Sequence, residues 1–261
     1  MSDVNPYKPP SSHVADVAPA ATDAGSFIEG GRAVGAGQGW AWITGAFDMF
    51  KSKPGTWIVI VIILAVILIV LSLVPILGSL ANLVLLPVFT GGIMLGCQAL
   101  KQGGALEIGH VFAGFKSHAG NLVVLGVFGI LAWIVVAIPA VAIMGGGAFF
   151  AFMRGDPASV GAIGSSFALA LLVMLALSIP VYMALWFAPA LVTLRELAPT
   201  DAIKQSFRAC LKNIVPFLLY GIVMLVLGII AAIPLGLGFL VLGPMLMASV
   251  YVAYQDIFFE S

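Results

Sequence analysis

Charge is what this sequence has least of. Its eleven Lys and Arg and eleven Asp and Glu make up 8% of 261 residues, where soluble domains carry about 25%. The two signs cancel, so no net field points to nucleic acid or an acidic partner, and only the placement of the charges carries information. Cysteine is nearly absent as well. Cys97 and Cys210 are too few for a disulfide framework and lack metal-type spacing, so both read as small buried apolar side chains. Histidine occurs three times, as His13, His110 and His118, with no HExxH for an intramembrane metalloprotease. Glu107 and His110 form one ExxH unit, where di-iron bundles need two and further carboxylates. Residues 1–25 have no apolar core, which excludes a signal peptide and predicts that the segment stays in the mature chain.

What the sequence has is apolar length. Hydrophobic residues make up 62% of the chain and the mean hydropathy is +1.16, which places it in a membrane. The runs are continuous rather than alternating, so a β-barrel is excluded. A spanning helix needs about 20 apolar residues, and the uncharged gaps can be divided by that length. Lys53 to Lys101 encloses 47 residues with a breaker at 74–82, "VPILGSLAN"; 119–153 and 157–194 hold 35 and 38; 213–255 holds 43 with a breaker at 233–238, "IPLGLG". Six spans result.

The fold expected is all-α and integral to the membrane: six transmembrane helices as three hairpins, each preceded by a cytoplasmic amphipathic helix. Residues 1–38 read as a disordered cytoplasmic tail, being rich in Pro, Ser, Ala and Asp. Residues 39–104 read as the first unit (spans about 55–74 and 79–100), 105–197 as the second (about 120–147 and 165–192) and 198–261 as the third (about 214–234 and 238–258). Lys51, Lys53, Lys101, Lys116, Arg195, Lys204, Arg208 and Lys212 fall on one side of such a topology and only Arg154 on the other. The positive-inside rule then puts both termini in the cytoplasm.

The three entry segments have helical periodicity. Trp40, Ile43, Phe47 and Phe50 make the first stripe, Ile108, Val111, Phe112 and Phe115 the second, and Ile203, Phe207, Cys210 and Leu211 the third. Thr200 is the expected N-cap of the third helix, with Asp201 in its first turn. "AFDMFKSKPGTW" and "HVFAGFKSHAGN" align without gaps, pairing Phe47 with Phe112, Phe50 with Phe115 and Lys51 with Lys116. The third segment is matched by setting "LKN" (211–213) on "FKS". Such helices lie in the interface with aromatics in the acyl boundary and cations at the headgroups. The anchors expected are Phe47, Phe50, Phe112, Phe115 and Phe207, and the anionic-lipid contacts Lys51, Lys53, Lys116, Lys204, Arg208 and Lys212.

The stretches "GQGWAWITGAFDMFKSKPGTW", "LPVFTGGIMLGCQAL", "LEIGHVFAGFKSHAGNLVVLG" and "AIKQSFRACLKNIVPFLLYG" resemble a family of uncharacterised proteobacterial inner-membrane proteins. The resemblance runs from about residue 37 to 259 and implies location and topology. It carries no catalytic or binding residue.

Apart from Asp256 near the end of the sixth, no charged residue falls inside an expected span, which argues against a proton relay or voltage sensor. Ser165 and Ser166 have no histidine expected on their side of the membrane to activate them. Gly92 and Gly96 form a small-xxx-small face for close helix approach, and prolines at 87, 139, 180, 189, 216, 234 and 244 suggest kinked spans. The expectation is therefore a non-enzymatic inner-membrane protein that organises the bilayer, interacts with lipid or assists other membrane proteins. The alternative is a transporter or flippase for an apolar or amphipathic solute. Neither a cofactor nor a metal is expected, and no nucleic acid. Membrane lipids are the expected partners, with a membrane-protein partner or a homo-oligomer left open.

Overall fold

The computed structural model describes residues 25–154 and 159–260. Most of the expected tail, residues 1–24, lies outside them, as do residues 155–158 of the polar link between the third and fourth spans. The described helices are α1 (Gln38–Ser52), α2 (Pro54–Ser72), α3 (Leu77–Lys101), a 3-10 turn (Ile108–Phe112) running into the one-turn α4 (Ala113–Lys116), α5 (Ala119–Arg154), α6 (Ser159–Leu185), α7 (Ala188–Arg195), α8 (Pro199–Lys212), α9 (Ile214–Ala232) and α10 (Phe239–Phe258). Six stretches are long and apolar enough to cross a membrane, with α6 and α7 together supplying the fourth. Among the described residues there is no strand, only one antiparallel bridge, Phe27 to Phe259.

α3 and α10 are central: 44% and 50% of their apolar windows are buried, against 11% for the α6–α7 stretch. Lipid is as apolar as leucine, so these helices associate through close packing and hydrogen bonds rather than by escaping water. α5 and α6 pack along each other, whereas α3 packs most on α5, and α10 most on α1. α2 and α3, and α9 and α10, are joined by short turns, yet α3 packs more on α5 than on α2, and α10 more on α1 than on α9. Polar ties inside the apolar layer are few. Asn82 Nδ2 reaches the Leu68 carbonyl at 3.3 Å and Ser72 Oγ at 3.0 Å, linking α3 to α2. The Tyr220 hydroxyl lies 2.7 Å from Ser249 Oγ, linking α9 to α10.

The first and third units correspond position by position at one constant separation. α2 and α9 are both 19 residues long. Trp42 and Ala202, Ala46 and Ser206, and Phe50 and Cys210 are buried pairs on α1 and α8. Lys53 and Asn213 are the junctions, each donating its N–H to the residue three before it and accepting from the residue four after. Gly78 abuts the Leu71 carbonyl and Gly238 the Ala231 backbone, so both turns close where a Cβ would collide. This register sets Phe207 against Phe47, and corrects the match of "LKN" to "FKS" by one residue: Cys210, not Leu211, is the counterpart of Phe50. The sequence match was drawn to the lysine, but burial decides the register.

Several expectations change. Residues 25–37, expected in the disordered tail, are packed. Ile28 and Arg32 donate their N–H groups to the Phe258 and Ile257 carbonyls, both at 2.8 Å, and Arg195 lies 4.4 Å over the Phe27 ring. Polar composition suggested disorder, yet these backbone groups have partners far along the chain. The second entry segment is a 3-10 turn and one α-turn rather than a full helix. Its N-cap is Glu107, in a capping box with His110. α8 starts with Pro199, and Ala198 rather than Thr200 is its N-cap, while Asp201 does lie in the first turn. The fourth expected span, about 165–192, is broken at Trp186–Phe187.

Candidate functional site

The three entry segments gather at one end of the bundle. Gly39 of α1 abuts the Pro216 carbonyl at the start of α9, and Gly45 lies against Val252 near the end of α10. Gly92 and Gly96 of α3 receive the second segment: Gly92 abuts the His110 carbonyl, Gly96 faces Leu106 and His110, and Gly114 in turn abuts the Val88 carbonyl. Only glycine permits backbones this close, which is how the small-xxx-small face is used. At the same end His118 Nε2 stands 3.8 Å from Glu196, joining the start of α5 to the end of α7.

Strapped across this end is the segment 25–37. Asn213, fully buried, accepts from the Val34 N–H at 2.8 Å and donates to the Arg32 and Ala209 carbonyls at 2.8 and 2.9 Å. Lys212 Nζ donates to the Gly31 carbonyl at 2.6 Å. Arg32 pairs with Asp256 at 3.1 Å. A buried amide with all these partners fixes the strap onto α8.

The residues expected to meet lipid divide into two sets. Trp40, Phe47, Phe112 and Phe115 are exposed, with Phe89 of α3 at 6.3 and 5.4 Å from the Phe112 and Phe115 rings. Phe207 is half-buried. Phe50 differs, being 8% exposed and part of the core, so it is not an interfacial anchor. In each entry segment small residues face the protein (Ala46, Gly114, Ala202, Ser206, Ala209), joined in the first by the buried Trp42 and Phe50 rings. Of the cations, Lys51 lies 2.8 Å from Asp48 and 4.9 Å from the Phe47 ring centre. Lys204 lies 3.4 Å from Asp201, and Lys212 is taken by the strap. Lys53, Lys116 and Arg208 are exposed and have no ion pair among the described residues.

Sequence reasoning missed the broken helix. Ser206 of α8, fully buried, donates its hydroxyl to the Met183 carbonyl at 2.7 Å and accepts from the Phe187 N–H at 3.0 Å. One side chain thereby satisfies both sides of the break, which within an apolar layer would otherwise cost several kcal/mol per group. The following Pro189, in the first turn of α7, lacks an N–H and fits there. Serine at 206 within "SFRAC", opposite a "WFAP" segment, was the available signal.

Beside the break lie three apolar cavities that share Trp186. One of about 350 Å³ opens between α6 and α9, lined by Ile179, Tyr182, Met183, Cys210, Ile214, Phe217 and Leu218 as well. A second, about 290 Å³, reaches Leu86, Thr90 and Tyr182 between α3, α5 and α6. A third, about 230 Å³, includes Leu86, Thr90 and Leu246. The Trp186 ring stands edge-on to Phe217 and Tyr220 at 5.8 and 6.0 Å, and its buried Nε1 has no hydrogen-bond partner. A separate cleft of about 430 Å³ at the basic end is bordered by Met49, Leu100 and Val252 together with Asp48, Ser52, Lys101 and Gln255.

Burial pushes the Cys210 thiol up to about 12, with a hydrogen bond to Ser206 working against it, so it stays protonated near neutrality. His110 Nδ1 accepts the Glu107 N–H at 3.0 Å, which puts the ExxH pair to structural use. No group of three metal-ligating side chains occurs among the described residues. Ser165 and Ser166 lie inside α6.

The chain is similar to a protein of Burkholderia thailandensis named a probable inner membrane protein. The two are 27% identical over 252 residues, covering 86% of this chain and 92% of the relative. This protein is a multi-pass inner-membrane protein. The match covers most of both chains, so the location rests on more than one segment. No family model and no solved structure matches it.

Proposed function

We propose that this inner-membrane protein works without catalysis, by engaging anionic lipid through its basic end and so organising the bilayer or assisting other membrane proteins. The observation that carries the reading is the pairing of outward rings with unpaired cations at one end: Trp40, Phe47, Phe112 and Phe115 beside Lys53, Lys116 and Arg208. Rings at headgroup level and cations reaching past them are the chemistry of a membrane interface. Each cation near an anionic leaflet contributes about 1 kcal/mol. In this reading both termini are cytoplasmic and the entry segments lie on the inner leaflet. Neutralising Lys51, Lys116, Lys204 and Arg208 together is expected to reduce the anionic phospholipid that stays with the protein on extraction from native membrane. Unchanged lipid, by mass spectrometry, sinks the reading.

A second reading, transport or flipping of an apolar or amphipathic solute, draws on the cavities that meet at Trp186 next to a broken span, since discontinuous helices border many transporter sites. It predicts faster transbilayer movement of a fluorescent phospholipid in vesicles containing the protein than in empty ones. Equal rates would remove it.

A further inference from the structure

The crevice between α6 and α9 differs from the remaining lipid-facing surface. α6 and α9 scarcely touch, and the gap between them is walled by Tyr182, Met183 and Trp186 on one side and Ile214, Phe217 and Leu218 on the other. Its mouth residues, Ile179, Tyr182, Ile214 and Leu218, are exposed and sit in or beside spanning stretches. What meets them there is hydrocarbon rather than water. An apolar gap in a bilayer gains nothing from excluding water; its lining loses dispersion contacts unless something fills it. The filler at hand is a lipid chain.

One end of the crevice fixes what the chain is attached to. Cys210 and Ile214 line it, so it ends at the α8–α9 junction, at the basic end of the bundle. On α8, Lys204, Phe207 and Leu211 fall in a row at i, i+3 and i+7 that borders Cys210, and Arg208 lies beside that row, exposed. A chain seated in the crevice therefore brings its headgroup to the end of the bundle that carries Lys204, 3.4 Å from Asp201, and Arg208, whose stem lies against Gly30 of the strap.

We propose that the α6–α9 crevice is a binding site for one anionic glycerophospholipid, with an acyl chain against Trp186, Phe217 and Leu218 and the phosphate against Lys204 and Arg208. The site rests on the lipid-interacting reading of the basic end and makes it specific. Shape selects a chain, and charge selects the headgroup. Removing either cation should weaken retention about fivefold, the equivalent of about 1 kcal/mol.

The test uses the full-length protein released from native membrane, with retained phospholipid counted by native mass spectrometry. Leu218→Trp fills the crevice mouth. Leu225→Trp, two turns further along the same exposed face of α9, adds the same bulk outside it and controls for folding. Loss of anionic phospholipid in L218W with retention in L225W is the expected result. Retention in both, or equal loss in both, overturns the site. The fourfold charge variant separates the two ideas. If it loses lipid while L218W keeps it, the basic-end reading stands and the crevice site falls. If L218W loses lipid and the charge variant keeps it, the chain site stands without the headgroup contact, and the proposal of an anionic ligand is overturned.

Discussion

Trp42 and Asp256 meet from opposite ends of the chain: the indole N–H donates to a carboxylate oxygen at 2.9 Å. The other oxygen of the same carboxylate accepts from Arg32 at 3.1 Å, and the Asp256 backbone carbonyl takes the Arg32 Nε–H at 2.8 Å. One acidic side chain thus ties α1, the strap and α10 together at the basic end. It also explains why an aspartate closes the last apolar run, where a lipid-facing position would exclude it.

Asp256→Ala should lower stability in detergent by about 1–3 kcal/mol, since two donors lose their acceptor at a partly shielded position. Asp256→Asn keeps a carbonyl oxygen for Trp42 and loses the ion pair, so a smaller drop is expected. Thermal unfolding of the purified protein measures both. Limited proteolysis should show faster cleavage within 25–37 in the alanine variant, and unchanged cleavage there would disprove the strap's dependence on Asp256.

Ser206→Ala should cost about 1–3 kcal/mol by leaving the Met183 carbonyl and the Phe187 N–H unmatched in an apolar setting. Ser178→Ala is the control: its hydroxyl merely doubles up on the Leu175 carbonyl of its own helix at 2.7 Å, so the change should be near neutral. Equal melting temperatures for the two variants would mean that the break does not depend on the hydroxyl.

These two residues show what could and could not be read from the sequence. The six apolar stretches were legible because span length is a local property set by the hydrocarbon thickness. The break at Trp186–Phe187 was not, because the group that makes it tolerable, Ser206, comes from another helix. The packing of 25–37 was hidden for the same reason: its composition reads as disordered, while its hydrogen-bond partners are Asn213, Lys212 and the backbone near Ile257. In the entry segments periodicity found an apolar stripe, but the stripe straddles two environments: Ile43, Phe50, Val111 and Cys210 are buried, while Trp40, Phe47, Phe112 and Phe115 face outward.

Gly114→Ala should destabilise by about 1–3 kcal/mol, because a Cβ there meets the Val88 carbonyl and backbone cannot yield as a side-chain tip can. Gly120→Ala, at the start of α5 with open space around it, should be neutral or slightly stabilising through helix propensity. Thermal melts of the two variants decide it. A mild effect at Gly114 would mean that the second entry segment is not held against α3 as closely as its glycines indicate.

Orientation yields to a reporter active only outside the cytoplasm. Fused after Gly78, Gly161 or Gly236 it should be active, and after Gly103 or Pro199 silent. The expectation follows from the loops: Lys101, Lys116 and the cations of α8 lie at one end, and the short turns at 73–76 and 233–238 carry no charge at all. Basic segments resist translocation, whereas uncharged turns do not. The reverse pattern would put Lys204, Arg208 and the mouth of the α6–α9 crevice on the outer leaflet of the inner membrane. The lipid drawn to them would then come from that leaflet, and cytoplasmic surface charge could no longer be what recruits it.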